Sequence, residues 1–283
     1  MTRKTLNQPP RDLPEKEATQ SLAANRSVLL LLLALAAAAL FIPEELNQNL
    51  FLSINKLTSQ LPDSFWINIT NLGSTLAGAA LICLLLPKRP QLVLHLIISG
   101  LLCTLVVYGL KHSLDVIRPH LVLDRSLFHF IETNITSPAR PSGHTATGFF
   151  IAGSAWLFLN GAASRIAVLL LALLIGLSRI AVGVHWPLDL IWGGFIGLAI
   201  GYGGAGITSR FIRKTENNDT DGKDLYLKGF TYLSLGAILF IAVYFIYNPL
   251  PYSGENIPSY VVIYVALITS AQGCFMSLKE NSR

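Results

Sequence analysis

The chain is 283 residues long, 52% hydrophobic and 13% charged, and carries a formal charge of +5. Soluble domains are about twice as charged, so this composition excludes an ordinary soluble enzyme and predicts a protein integral to a membrane. A basic excess that would suggest nucleic acid in a soluble protein matters here only through where it falls along the chain, and no nucleic-acid partner is expected.

Apolar runs of the length needed to cross a bilayer lie at about residues 22–42, 67–86, 91–112, 144–159, 166–184, 186–207, 229–247 and 258–278, bounded by charge, proline or glycine. The expected fold is therefore all-α, a polytopic membrane helix bundle of about eight spans. Residues 1–26 read as an N-terminal tail, 27–207 as a six-span core, 208–228 as a linker and 229–283 as a C-terminal transmembrane hairpin. The alternative for the first run is a signal peptide, since it ends in small residues. Its long preceding region, with Asp12, Glu15 and Glu17, favours a retained span. With the N-terminus inside, only six of the 21 basic residues fall outside: Lys56, Lys111, Arg118, Arg125, Arg140 and Arg179. That bias predicts both termini in the cytoplasm. Cys83, Cys103 and Cys274 are odd in number, far apart and inside apolar runs, which argues against a disulfide framework or a thiolate metal site.

Between the first two runs, Leu46, Leu50, Ile54, Leu57 and Leu61 recur at steps of three or four, with Asn47, Asn49, Lys56 and Gln60 between them. The spacing predicts a short helix lying on the outer interface, with a folded loop as the alternative. Residues 215–228 are rich in Asn, Asp, Lys and Thr and are expected to form a flexible cytoplasmic linker.

Ionisable residues near membrane spans are costly and mark function by default, and three groups of them fall on the same outer side. Lys111 and Arg118, followed by Pro119, close the third run. Seven residues along a helix return to the same face about 10.5 Å further on, so two cations can reach one anion from different heights. Alone, the pair equally fits a Lys and an Arg snorkelling at a helix end. Pro141-Ser142-Gly143-His144 opens the fourth run. Ser142 suits an N-cap, Gly143 allows close backbone approach, and the free N–H groups of the helix start offer a phosphate cradle that His144 can also face. A plain capped helix start with an incidental histidine fits as well. Ser178-Arg179, His185 and Asp189 surround the start of the sixth run, where Pro187 suits the first turn. Asp189 can accept the Nδ1–H of His185, leaving Nε2 unprotonated and nucleophilic. The bland alternative, a His and an Asp satisfying each other at a helix end, is disfavoured by Arg179 inside a span.

Lys111-x6-Arg118-Pro119, Pro141-Ser142-Gly143-His144 and Ser178-Arg179-x5-His185-x3-Asp189 together resemble the three signature motifs of the type 2 phosphatidic acid phosphatase (PAP2) superfamily, matched at every specified position and in order. The resemblance covers the six-span core. Residues 229–278 carry no motif and depart from the six-span membrane members, which suggests an accessory or partner-binding hairpin. The resemblance implies that His185 attacks phosphorus to form a phosphohistidine, oriented by Asp189, and that His144 protonates the leaving oxygen and then activates water. Lys111, Arg118, Arg179, Ser142 and the Gly143 amide would hold the phosphoryl oxygens. Neither a metal nor another cofactor is implied, because three cations and a helix N-terminus can supply the charge stabilisation. Opposite protonation states for His144 and His185 predict a bell-shaped pH profile.

A site at the outer membrane–water boundary suits a lipid whose phosphate sits at headgroup level. The expected function is hydrolysis of a lipid phosphomonoester or diphosphate at the outer face of the bacterial cytoplasmic membrane. Among the substrates the resemblance implies, undecaprenyl diphosphate leads, followed by phosphatidylglycerophosphate, with phosphatidate and lipid A phosphates behind. Arg125 and Arg140, in the loop 113–140, lean toward a second phosphate. The alternatives are a phosphotransferase or lipid A phosphatase of the same family and a non-catalytic lipid-binding or transport protein. Of the remaining groups, His112, His120 and His129 read as solvated or supporting, His95 as a contact between helices, and Asp115 as a partner for Arg118. Asn68, Thr70 and Asn71 either line the site or bond neighbouring helices.

Overall fold

A computed structural model describes residues 41–280 apart from 132–134, 157, 160, 219–222, 249 and 251–256. The N-terminal tail and nearly all of the expected first span lie outside the described residues. Ile42–Arg283 forms one compact unit. Its helices are α1 (Glu44–Thr58), α2 (Asp63–Leu72), α3 (Thr75–Ile82), α4 (Leu92–Leu114), α5 (Gly143–Trp156), α6 (Ala162–Ala181), α7 (Pro187–Asn218), α8 (Lys223–Tyr247) and α9 (Ile257–Glu280), and no strand occurs among the described residues. Among the described residues, five stretches are long and apolar enough to cross a membrane, within Leu92–Val122, Ala162–Ala181, Pro187–Thr208, Leu227–Tyr247 and Ile257–Lys279. The expected span at 67–86 is broken: α2 and α3 pass the same test only as a pair, bent by 68°. The chain is thus an all-helical, multi-span membrane protein.

Two expectations are corrected. The run at 144–159 yields a helix of only 14 residues, about 21 Å long, too short for a hydrocarbon core of roughly 30 Å. The reason is its surroundings: Thr145, Ala146, Gly148, Phe150, Ile151, Ala152, Gly153, Ser154 and Ala155 are all buried. A helix wrapped by other helices is released from matching the membrane thickness. Residues 215–228 are largely helical, since α7 continues to Asn218 and α8 begins at Lys223. Extending a helix already established in its apolar part costs little per residue, so it can run on into polar positions.

The tightest packing in the bundle is set by glycines four apart on α7. A Cβ at Gly193, Gly197 or Gly201 would run into the carbonyl oxygens of Ser142, Ala146 and Phe150 respectively. Without side chains at these positions the two backbones touch, which is how helices gain van der Waals contact in lipid, where burial of apolar surface between helices drives nothing. The register so fixed sets the start of α5 beside the start of α7, and the Ser142 N–H donates to the Asp189 carbonyl at 2.9 Å.

Helix α1 forms as the sequence predicts, and its burial is inverted relative to that of a soluble amphipathic helix, with amides inward and leucines outward. Asn47, Phe51, Asn55 and Thr58 face the protein, whereas Leu46, Leu50 and Leu57 are exposed. The amides decide this. Asn55 Nδ2 donates to the Ile180 and His129 carbonyls at 2.8 and 2.9 Å, its Oδ1 accepts the His129 N–H at 2.7 Å, and Asn47 Oδ1 accepts the Leu188 N–H at 3.1 Å. The leucines are left facing outward, as befits a helix lying against lipid.

The C-terminal hairpin is not a separate accessory. Phe230, Ile238, Ile241 and Phe245 of α8 and Ile263, Leu267 and Cys274 of α9 share one buried cluster with Ala77 and Ala80 of α3 and Leu92 and Leu96 of α4. Asn68 fixes α9 to α2, its Oδ1 accepting from the Ser259 N–H at 2.9 Å and Oγ–H at 2.7 Å.

Candidate active site

The loop from α6 to α7 and the first turn of α7 build the centre of the site. His185 sits just ahead of α7, and its Nδ1 lies 3.2 Å from Asp189 Oδ2. Asp189 is fully buried and its oxygens are saturated by donors: Oδ2 also accepts the Trp186 N–H at 2.9 Å, and Oδ1 accepts Arg140 Nε at 3.0 Å. An aspartate so held keeps the Nδ1 proton on His185 and leaves Nε2 as the lone-pair nitrogen. Arg118 Nη1 reaches that Nε2 at 3.2 Å.

The cations converge from three elements. Pro119 lets Arg118 take an extended backbone conformation, and its guanidinium donates to the Ser137 carbonyl at 2.6 Å, the Ser137 hydroxyl at 3.1 Å and the Val184 carbonyl at 3.0 Å. Lys111, at the end of α4, donates to the Pro138 carbonyl at 2.6 Å. Residues 137–139 are thus a shelf on which both cations rest. Arg179, inside α6 and 2% exposed, donates to the Thr70 hydroxyl on α2. All three cations are in electrostatic reach of both His185 and His144. His185 lies between the spanning helices rather than in one, and burial, then Arg118, Arg179 and Lys111, push its pKa well below the ordinary histidine value. The ring is neutral at physiological pH.

His144 stands in the first turn of α5, against the break between α2 and α3. A Cβ at Gly73 would lie 3.1 Å from His144 Cβ and 3.2 Å from its Cδ2, so the bend and its glycine make the space for that ring. Ser142 caps α5: its Oγ accepts the Thr145 hydroxyl at 2.9 Å and the Thr145 N–H at 3.4 Å. It is fully buried and acts first on the helix it caps. The Gly143 end is reached by a cavity of about 160 Å³ that Lys111, Tyr108 and Thr75 also line.

Several secondary readings change. Arg140, expected to meet a second phosphate, is taken up by Asp189, and Arg125 lies 4.8 Å over the Phe130 ring, so the lean toward a diphosphate loses its basis. Asp115 forms the left-handed cap that ends α4, while the Arg118 guanidinium engages Ser137, Val184 and His185. His120 is buried, with Nε2 3.2 Å from the Ile135 carbonyl and its ring stacked on Phe130. His129 pairs with Asp63 at 2.8 Å, and His112 packs edge-on against Tyr108. His95 bridges α4 and α5 through Ser154 at 2.8 Å, as expected. Arg140, Thr70, Ser137 and Asn55 support the site without belonging to any motif; a polar side chain in or close to an apolar run was the only signal the sequence carried for them.

Comparison with known proteins points to one family. Residues 91–213 match the PAP2 superfamily, a stretch that contains every candidate site residue. The crystal structure of Aquifex aeolicus LpxE aligns at a TM-score of 0.51 and 31% identity, covering 57% of this chain and 95% of that one. A lipid A 1-phosphatase of Rhizobium johnstonii is 31% identical over 155 residues, which span 50% of this chain and 61% of the relative. An undecaprenyl-diphosphatase of Sulfolobus acidocaldarius is 28% identical over 126 residues, spanning 42% of this chain and 57% of that protein. The match therefore extends over about three-fifths of these curated relatives' length. With the family match spanning all three motifs and a solved relative covered almost end to end, the chain belongs to the PAP2 superfamily.

Proposed function

We propose that this protein is an integral membrane phosphatase that hydrolyses a phosphomonoester or diphosphate on a lipid at the outer face of the bacterial cytoplasmic membrane, with both termini in the cytoplasm. The observation that carries the reading is the His185–Asp189 pair, 3.2 Å apart, facing three cations. His185 Nε2 attacks phosphorus, the bond from phosphorus to the leaving oxygen breaks (the ester oxygen of a monoester, the bridging oxygen of a diphosphate), and that oxygen takes a proton from His144. Neutral His144 then takes a proton from water, whose oxygen attacks phosphorus and breaks the P–Nε2 bond, freeing phosphate. Arg118, 3.2 Å from Nε2, turns to a phosphoryl oxygen as phosphorus arrives, exchanging a neutral acceptor for a charged one. Lys111, Arg179 and the N–H groups at Gly143 neutralise the remaining oxygens. Among the described residues no three of His, Cys, Asp and Glu gather as a metal-ligand set, and the cations supply the charge a divalent ion would.

For the finer substrate, the names of the relatives favour lipid A phosphate and undecaprenyl diphosphate as the first to test. The deciding experiment is release of free phosphate from these two lipids, phosphatidylglycerophosphate and phosphatidate by the purified protein in detergent, with a chelator present and no acceptor lipid. Release by the wild type that disappears in His185→Ala supports the proposal. Loss on chelation overturns the metal-free mechanism, release only with an acceptor lipid makes the protein a transferase, and binding without release makes it a lipid-binding protein.

A further inference from the structure

Beside the site lies an apolar groove of about 450 Å³ between α3, α4 and α8. Its walls are Leu96, Ile97, Gly100 and Leu101 from α4 and Leu76 and Ala79 from α3, and α8 closes it with Leu233, Gly236, Ala237 and Phe240. At one end it shares Thr75, Cys103, Thr104 and Thr147 with the small cavity that stops at Lys111 and Gly143. The two form one track along α4 from Leu96 to Lys111, about 22 Å at 1.5 Å per residue, or some three-quarters of the hydrocarbon thickness. Even its threonines present apolar surface: Thr104 Oγ1 donates to the Gly100 carbonyl at 3.0 Å and Thr147 Oγ1 to the Gly143 carbonyl at 3.1 Å. Each hydroxyl is spent on its own helix.

The space is built in rather than left by loose packing. A Cβ at Gly100 or Gly236 would meet nothing within 4 Å, so the two glycines open the groove from opposite sides. Around them α8 is held tightly, with Ile238, Ile241 and Phe245 buried in the core.

We propose that this groove holds one hydrocarbon chain of the lipid phosphate, and that α8 of the C-terminal hairpin is the wall that selects the chain. The inference rests on the lipid phosphatase reading and names what the motif-free hairpin contributes to it. Continuity sets the occupant: a cationic phosphate site opening directly into an apolar channel complements an amphiphile with its phosphate at Lys111 and its tail toward Leu96.

The test has two arms. In phosphatidylcholine nanodiscs, a phosphatidate with a diazirine at the end of one acyl chain should label residues 96–101 and 233–241, and excess phosphatidate, but not added phosphatidylcholine, should suppress the labelling. In detergent, Gly100→Leu and Gly236→Leu should each raise KM for dihexadecanoyl phosphatidate about tenfold, equivalent to leaving roughly two methylenes unburied, while phosphate release from dibutyryl phosphatidate stays at the wild-type rate. Labelling indifferent to phosphate, or absent from these segments, overturns the proposal, as do variants that shift both substrates equally. Headgroup-dependent labelling without phosphate release leaves the groove standing and removes the phosphatase reading. Phosphate release with label elsewhere does the reverse.

Discussion

Asp189 has three donors and one task. Trp186, Arg140 and His185 all point at its carboxylate, so the orientation of the His185 ring is set by its own turn together with one distant residue, Arg140. Arg140→Gln removes a charge-assisted hydrogen bond to a buried carboxylate, worth about 1.5–3 kcal/mol. Steady-state kinetics should show kcat lower by about tenfold or more with KM little changed, the pattern of a lost positioning group. The pH dependence follows from the same ring. His185 must be neutral to attack, so activity is present above its pKa and is lost as pH falls through it. Because burial, Arg118, Arg179 and Lys111 depress that pKa, the acid limb of kcat/KM should lie well below the ordinary histidine value of about 6.5. Arg118→Gln removes the cation with the largest effect and should move the limb upward. A limb that stays in place would show that another group controls it.

At the scale of elements, the site depends on two packing devices. The first is the α7 glycine face against α5. Gly197→Ala drives a methyl into the Ala146 carbonyl, and overpacking of this kind costs about 1–3 kcal/mol. Thermal unfolding in detergent should show a lowered midpoint, and phosphate release should fall because the α5 and α7 starts separate. The second is Asn55, whose amide joins α1 to the end of α6 and to the loop at His129. Asn55→Leu leaves those backbone groups unpaired at about 1–3 kcal/mol, which should exceed the effect of Leu57→Asn on the exposed face of the same helix. Equal effects from the two substitutions would contradict the inverted burial of α1.

For the whole molecule, topology is the testable property. If both termini are cytoplasmic, a cysteine introduced by Ser126→Cys should react with a membrane-impermeant maleimide added to intact cells, and one introduced by Glu216→Cys should react only after permeabilisation. The opposite pattern would place the site on the inner face. The last hairpin belongs to this scale as well: it shares the buried core of the bundle and makes one side of the groove, which joins it to the motif-bearing helices in packing.

Composition and run length alone determined that the chain is a helical membrane protein, because the free energy of transferring apolar residues into lipid is nearly additive along the sequence. Motif spacing likewise singled out Lys111, Arg118, His144, Arg179, His185 and Asp189 as candidates, since each group is local and its costly charges stand out against an apolar background. What the tertiary structure decided is everything that depends on which backbone touches which. The Gly193, Gly197 and Gly201 spacing does not say which helix it meets, and Asn47 read only as part of a polar face, while it is the fold that gives Asn47 and Asn55 their backbone partners on α6, α7 and the His129 loop. The bend at Gly73, the capture of Arg140 by Asp189 and the groove wall supplied by α8 arise from contacts between distant segments. A one-dimensional pattern carries no trace of those, because in lipid the energy of helix association lies in close fit and paired polar groups rather than in hydrophobicity.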